Sequence, residues 1–344
     1  MARSVTRLSS AARRPLATTA GLALAAVALT ACGTGVSAPA ESSGSASGEA
    51  VSIRTCGREL SFPDTPQAVV GLMPSQTELL LRLGAGDALV GQAQTATSAL
   101  PDDVADQVED VPVVSEDTPP AREDLLAVGP DLVVSPTEYE FTPEQGYASI
   151  EQLEDSGAAA YVAAGGCADR RNTAEVTDLL TDIDNLGVVL RAEDEAGRLR
   201  ADVERRLAAV EEAVPAEDRL SVAQVYVEGS TLGVIGAGVE ADIIRRAGGE
   251  NVFDPDAPEF AEFFAAEVNP EEIVERDPDA IVFGVADDAD EQRIRDYLHA
   301  TFPDVTAVRE DRLIAVPQAD LYPGALGGVD AVEHIAQELY PDAF

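Results

Sequence analysis

The sequence predicts an α/β fold of two lobes joined by one long helix, and three observations carry that reading. Short apolar runs of strand character alternate with helix-period segments, the grammar of parallel sheets covered by helices. One phrase occurs twice: EDLLAVGPDLVV at 123–134 and EEIVERDPDAIV at 271–282. A second pair, LLLRLGAGDALV (79–90) and DIIRRAGGENVF (242–253), precedes it in each half, so the halves read as related lobes. Between them, residues 191–214 place Leu199, Val203, Leu207, Val210 and Val214 on one helical stripe, with charges opposite. Two Rossmann-like lobes held by such a rod enclose a cleft, and ligands in such folds sit beyond the carboxyl ends of the strands.

Each element follows from local pattern. In the first half, strands are expected at AVVGL (68–72), ALVG (88–91), PVVS (112–115), DLVVS (131–135) and AAAYVAAG (158–165). Helices fall at TELLLRLG, stopped by Gly84, at 123–128, ended by Pro130, and at ASIEQLEDSG. A further helix is expected to be capped by Asn172, with Glu175 three residues on, and closed by Gly187. After Pro215 the alternation resumes with SVAQVYVEG, VEADIIRRAGG, NPEEIVERDP, DAIVFGV, EQRIRDYLHATF, RLIAVP and VDAVEHIAQELY. The divisions are a signal peptide (1–31), a flexible tether (32–50), a first lobe (51–190), the connecting helix (191–214) and a second lobe (215–344).

Composition narrows the function. The 344 residues are 45% hydrophobic and 25% charged, enough to bury cores. A net charge of −40 repels phosphate and argues against nucleic acid as a partner. At the N-terminus, Arg3, Arg7, Arg13 and Arg14 precede the apolar run LATTAGLALAAVAL, which ends in LTAC. That order is the grammar of an exported lipoprotein acylated at Cys32, extracytoplasmic and held at the membrane by lipid alone. An ordinary secretory signal with a chance cysteine is the alternative. The two remaining cysteines, Cys56 and Cys167, invite a disulfide in an oxidising compartment; two free buried thiols are the other possibility.

Catalytic and metal readings find little support. His299 and His334 both fall within helices and away from strand ends, so no metal is assigned to them. VIGAGVEA contains GxGxxA, a weak form of the dinucleotide fingerprint, but an exported chain has little access to NAD, and a Gly-rich cleft loop is the simpler reading. No GxSxG is present and neither His is placed as a base, which argues against a Ser hydrolase; an exported α/β enzyme is the remaining alternative.

These residues together resemble a known family. TCGREL with the later GGC, PSQTELLLRLGAGDALVG, PAREDLLAVGPDLVVS, IGAG followed by DIIRRAGGENVF, NPEEIVERDPDAIV and LYPGALGGVDAVEHIA are similar to motifs of the lipid-anchored substrate-binding proteins of ABC importers. The group is the one with a single connecting helix, and the branch is the actinobacterial iron–siderophore type. The resemblance covers residues 51–344 and reinforces the pairing of Cys56 with Cys167. It implies a monomer that delivers a ferric siderophore to an ABC permease dimer, with Glu123 and Glu271 docking on the permease. No cofactor is implied; iron arrives only inside the siderophore. The ligand contacts it implies are Met73, Ser75, Gln76, Thr77, Gln94, Thr95, Thr137, Tyr139, Phe141, Ser230, Thr231, Leu232, Phe260, Gln318, Asp320 and Tyr322. One departure bears on the ligand. The last loop, PGALGGVD, lacks the Arg that often follows Pro-Gly in the family, leaving Asp320 as the charged residue of these loops. A neutral or cationic hydroxamate complex then fits better than an anionic catecholate or citrate complex. Cobalamin or haem are the alternative ligands, the former disfavoured by the absence of Trp.

Overall fold

The computed structural model describes residues 50–229 and 231–344. The expected signal peptide, Cys32, the tether through residue 49 and Ser230 lie outside the described residues.

The described residues open with a hairpin absent from the expected strands, β1 (Val51–Thr55) and β2 (Arg58–Phe62), paired antiparallel. Period-2 alternation buries Ile53, Thr55, Leu60 and Phe62. Cys56 (φ 46) and Gly57 (φ 71) form the two-residue turn, whose positive φ values suit the twist of a hairpin.

The first sheet contains β3 (Val69–Gly71), β4 (Leu89–Ala93), β5 (Val113–Ser115), β6 (Leu132–Ser135) and β7 (Ala159–Val162). All pairs are parallel, in the order β5-β4-β3-β6-β7. Its central strands are near-continuous aliphatic runs because both faces are covered.

The second sheet contains β8 (Ser221–Glu228), β9 (Thr231–Ile235), β10 (Glu250–Asn251), β11 (Ala265–Glu267), β12 (Ala280–Val285) and β13 (Leu313–Pro317). Its order is β11-β9-β8-β12-β13, with β10 pairing β8. Here the purely parallel expectation is corrected. The chain doubles back after Gly229 (φ 60), so β9 lies antiparallel to β8, and β11 antiparallel to β9. Thr231 and Leu232, expected in a loop, are therefore strand residues opposite Glu228 and Val227.

The duplicated phrases occupy equivalent places. Helix Arg122–Ala127 leads into β6, which pairs parallel with β3; helix Pro270–Arg276 leads into β12, which pairs parallel with β8. Leu125 and Ile273, at matching positions, are the buried anchors of the two helices.

Between the sheets runs an unbroken 21-residue helix, Glu193–Ala213, about 32 Å long at 1.5 Å per residue. It buries Ala196, Val203, Leu207 and Val210 and packs against helices Leu179–Val189, Gly238–Arg246 and Gly327–Leu339. Arg206 ties it to the last helix through Glu333 (Nε to Oε1, 2.9 Å) and Asp330. The preceding helix starts later than Asn172 predicts: it is Leu179–Val189, entered through a 3₁₀ turn with a Glu175/Asp178 capping box. Gly187 does not end that helix. It lies inside it, where a Cβ would overlap Ala196, so the glycine lets two helices approach closely. The reversal before the long helix falls instead at Arg191, in the left-handed region (φ 57).

Candidate functional site

A cavity of about 580 Å³ opens where the carboxyl-end loops of β6 and β13 meet the walls of β8 and β12. From the first half it receives Tyr139 and Arg171; from the second, Gln224, Tyr226, Glu240, Phe263, Phe264, Gln318 and Tyr322.

Arg171 is positioned by several independent contacts. The disulfide Cys56–Cys167 (Cα–Cα 5.2 Å) pins the segment that precedes it to the N-terminal hairpin. That hairpin is tied to β7 by Thr55 Oγ1 donating to the Val162 carbonyl (2.6 Å) and Arg58 donating to that of Ala160 (3.0 Å). The amides of Arg170 and Arg171 both donate to the Cys167 carbonyl at 2.9 Å. Asn172, expected as a helix cap, reaches across to the second lobe, its Nδ2 donating to the Phe260 carbonyl at 3.0 Å. Gly238 (φ 75) permits this approach, since a Cβ there would stand 2.8 Å from the Arg171 carbonyl oxygen. The Arg171 guanidinium then lies over the Phe264 ring, 4.5 Å from its centroid, a cation–π arrangement. Arg171 thus reaches the cavity lining from the segment that crosses to the second half.

The second half contributes acidic and polar groups to the lining. Gln224, on β8, is 1% exposed. Its Nε2 donates to Glu240 Oε2 at 2.9 Å, while its Oε1 has no partner. Burial pushes the Glu240 carboxyl up to about 8, opposed by the charge of Arg171. Arg293, also on the wall, is engaged by Asp290 (2.6 Å) and the Val227 carbonyl. Aromatic edges complete the mouth: Tyr139 and Phe263 are 51% and 54% exposed. Burial holds the Tyr322 hydroxyl up to about 12, neutral as a donor.

Of the expected contacts, Tyr139, Gln318 and Tyr322 line this cavity. Met73, Gln76, Thr77, Gln94, Thr137, Phe141 and Leu232 are buried, and Thr95 and Thr231 are half-buried; none lines it. Several of these polar groups serve the fold. Gln76 Nε2 donates to the Pro323 carbonyl (3.1 Å), joining the lobes. Gln94, at φ 55, donates to the Leu72 carbonyl (2.6 Å), and Thr137 Oγ1 donates to Glu140 (2.5 Å). Phe260 packs edge-on against Phe253, and Gly236 is bare because a Cβ would run into the Phe260 ring. Ser75 and Asp320 line a separate cavity of about 440 Å³ with Glu78, Asp330 and His334. Asp320 sits against Gly327 at the start of helix Gly327–Leu339, and burial, with Asp330 and Glu78 adding, pushes its carboxyl up to about 7.

Arg171, Gln224, Tyr226, Glu240, Phe263 and Phe264 escaped sequence reasoning. A signal existed for Gln224, a lone polar residue within the apolar run SVAQVYV, and for Phe263-Phe264, two further aromatics in the Phe260 loop.

The GxGxxA turn does not cradle phosphate. The amides of Gly236 and Ala237 both donate to the Phe264 carbonyl (3.0 and 3.2 Å), and the strand before them is antiparallel to its neighbour. Among the described residues, no group of three or more His, Cys, Asp and Glu is placed to hold a metal, and no helix is long and apolar enough to cross a membrane. Glu123 and Glu271 lie exposed in the first turns of their short helices, Glu123 paired with Arg122.

A cavity lined by five aromatic rings and seven charged or amide side chains is of a kind that suits a small ligand. The periplasmic binding protein family model matches residues 69–319, and the chain belongs to that family. It is 25% identical over 94% of its length to an uncharacterized ABC transporter substrate-binding lipoprotein, YvrC, of Bacillus subtilis (strain 168), covering 97% of that protein. A vitamin B12-binding protein of Vibrio campbellii (strain ATCC BAA-1116) is 23% identical over 65% of this chain and 73% of its own. Among solved structures, a periplasmic binding protein from Veillonella parvula superposes with a TM-score of 0.73 at 21% identity, over 85% of this chain and 98% of that one. An ABC-type Fe3+-hydroxamate transport system protein from Saccharomonospora viridis gives 0.67 at 25% identity, over 84% and 98%.

Proposed function

We propose that this protein is an extracytoplasmic lipoprotein that captures a ferric hydroxamate siderophore in the cleft and delivers it to the permease of an ABC importer, without chemical turnover. The observation that carries the reading is the cavity itself. Arg171 stacked on Phe264 shares the lining of about 580 Å³ with Tyr139, Tyr322 and Gln318. A pre-chelated iron needs shape, hydrogen bonds and aromatic surface rather than protein metal ligands. The likeness to the hydroxamate-transport protein of Saccharomonospora viridis supports the ligand class. Glu123 and Glu271, on pseudo-equivalent helices, would each meet an Arg pocket of the permease, and acylation at Cys32 would hold the monomer at the membrane. The match to a vitamin B12-binding protein favours cobalamin as the second reading. Titration with iron(III) trihydroxamates, haem and cobalamin, followed by tyrosine fluorescence, separates them: saturable quenching by the hydroxamate complex alone supports the first.

A further inference from the structure

The inner wall of the cleft holds an unmet demand for hydrogen-bond donors. Gln224 is almost wholly buried on β8, yet its Oε1 accepts from nothing. Its Nε2 donates to Glu240 Oε2 at 2.9 Å, and once that carboxyl is ionised, as an incoming cation would make it, turning the amide over would set oxygen against carboxylate oxygen. A buried acceptor without a partner is costly, and one beside a ligand cavity is met most simply by the ligand.

The charges around this wall point to the kind of donor. Glu240 and Glu228 lie on the cavity, and the nearby Asp290 is matched by Arg293. Arg171 is the opposing cation, and its guanidinium is spread over Phe264. Burial keeps the Glu240 carboxyl only weakly acidic, so an incoming cation would favour its ionised form.

Resting on the siderophore reading, we infer that Gln224 and Glu240 form a seat for a protonated primary amine, so that the ligand is a ferric hydroxamate carrying a free ammonium group. The ammonium donates to Gln224 Oε1 and to the Glu240 carboxylate. The chelated iron and its apolar spacers then lie toward Tyr139, Phe263 and Tyr322.

The test compares two probes with one iron chelate: iron(III)–desferrioxamine B, a linear trihydroxamate ending in a primary amine, and its N-acetylated form. The protein should bind the amine form about tenfold or more tightly, the scale of a charge-assisted hydrogen bond. In Glu240→Gln the ratio of the two affinities should fall toward one. Since the probe comparison uses the unaltered protein, it stands even if the variant misfolds. Equal affinity for both probes overturns the ammonium seat and leaves the siderophore reading intact. Binding of neither overturns the hydroxamate reading, and the seat with it.

Discussion

Asp131 and Asp279 do the same thing in the two halves of the molecule. The Asp131 carboxylate accepts from the amides of Gln67 (2.7 Å) and Ala68 (3.0 Å), just before β3. Asp279 Oδ2 accepts from the Ser221 amide (2.9 Å) and hydroxyl (2.8 Å), at the start of β8. Each Asp belongs to the Pro-Asp of the duplicated phrase, and each ties the strand it begins to the central strand of its sheet. The phrase is repeated because both lobes start their central strand pair with the same clamp. Asp131→Ala and Asp279→Ala should each cost about 1–3 kcal/mol, the range for orphaned donors of this type. Urea denaturation checks this; a change below a few tenths of a kcal/mol would show the clamp to be idle.

The disulfide should matter to stability and to the cleft. Closing a loop between residues 111 apart stabilises by about 2–5 kcal/mol. The Cys167 carbonyl also accepts the Arg171 amide, so Cys56→Ser with Cys167→Ser should weaken ligand binding as well as lower the denaturation midpoint. Unchanged affinity in a destabilised variant would separate the disulfide from the site.

The pH dependence of stability has a definite sign. Burial raises the folded-state carboxyls of Asp182 and Asp320 to about 7, with ordinary values of 3.8, and that of Glu240 to about 8 from 4.5. Above about pH 4 the unfolded chain has released these protons while the native state keeps them, so stability falls as pH rises toward 8. The thermal midpoint should be higher near pH 5 than near pH 8, and Asp320→Asn should flatten the slope. The reverse trend would contradict burial of these groups in the neutral form.

Docking predicts a separation of functions. Glu123→Arg with Glu271→Arg should abolish siderophore-dependent uptake in cells while leaving ligand affinity in solution unchanged, because neither residue lines the cleft. Normal uptake by the double variant would defeat the docking role.

Much of the fold was legible because it is written in local terms. Helix–Pro–strand phrases, Gly stops and the three- and four-residue apolar spacing from Leu199 to Val214 all act within a few turns of chain. What escaped depends on long-range geometry. The antiparallel β9 looks like a loop until β8 folds back on it. Gly187 looks like a stop until Ala196 is seen against it. In the cleft, the sequence could place polar and aromatic residues near strand ends but not choose among them. The 3₁₀ turn Pro258–Phe260 sends Phe260 inward and leaves Phe263 and Phe264 facing the cavity, a choice no periodicity encodes. Arg171 is farther still from prediction, since a disulfide and a contact across the lobes place it.

The most direct measurement is native mass spectrometry of the protein with iron(III)–desferrioxamine B, haem and cobalamin, repeated with Arg171→Ala. A one-to-one adduct with the intact ferric hydroxamate is expected, lost or weakened at least about tenfold in the variant, the scale of a charge-assisted hydrogen bond from Arg171 to a chelate oxygen. An adduct with none of the three, or equal binding by Arg171→Ala, would overturn the proposed site.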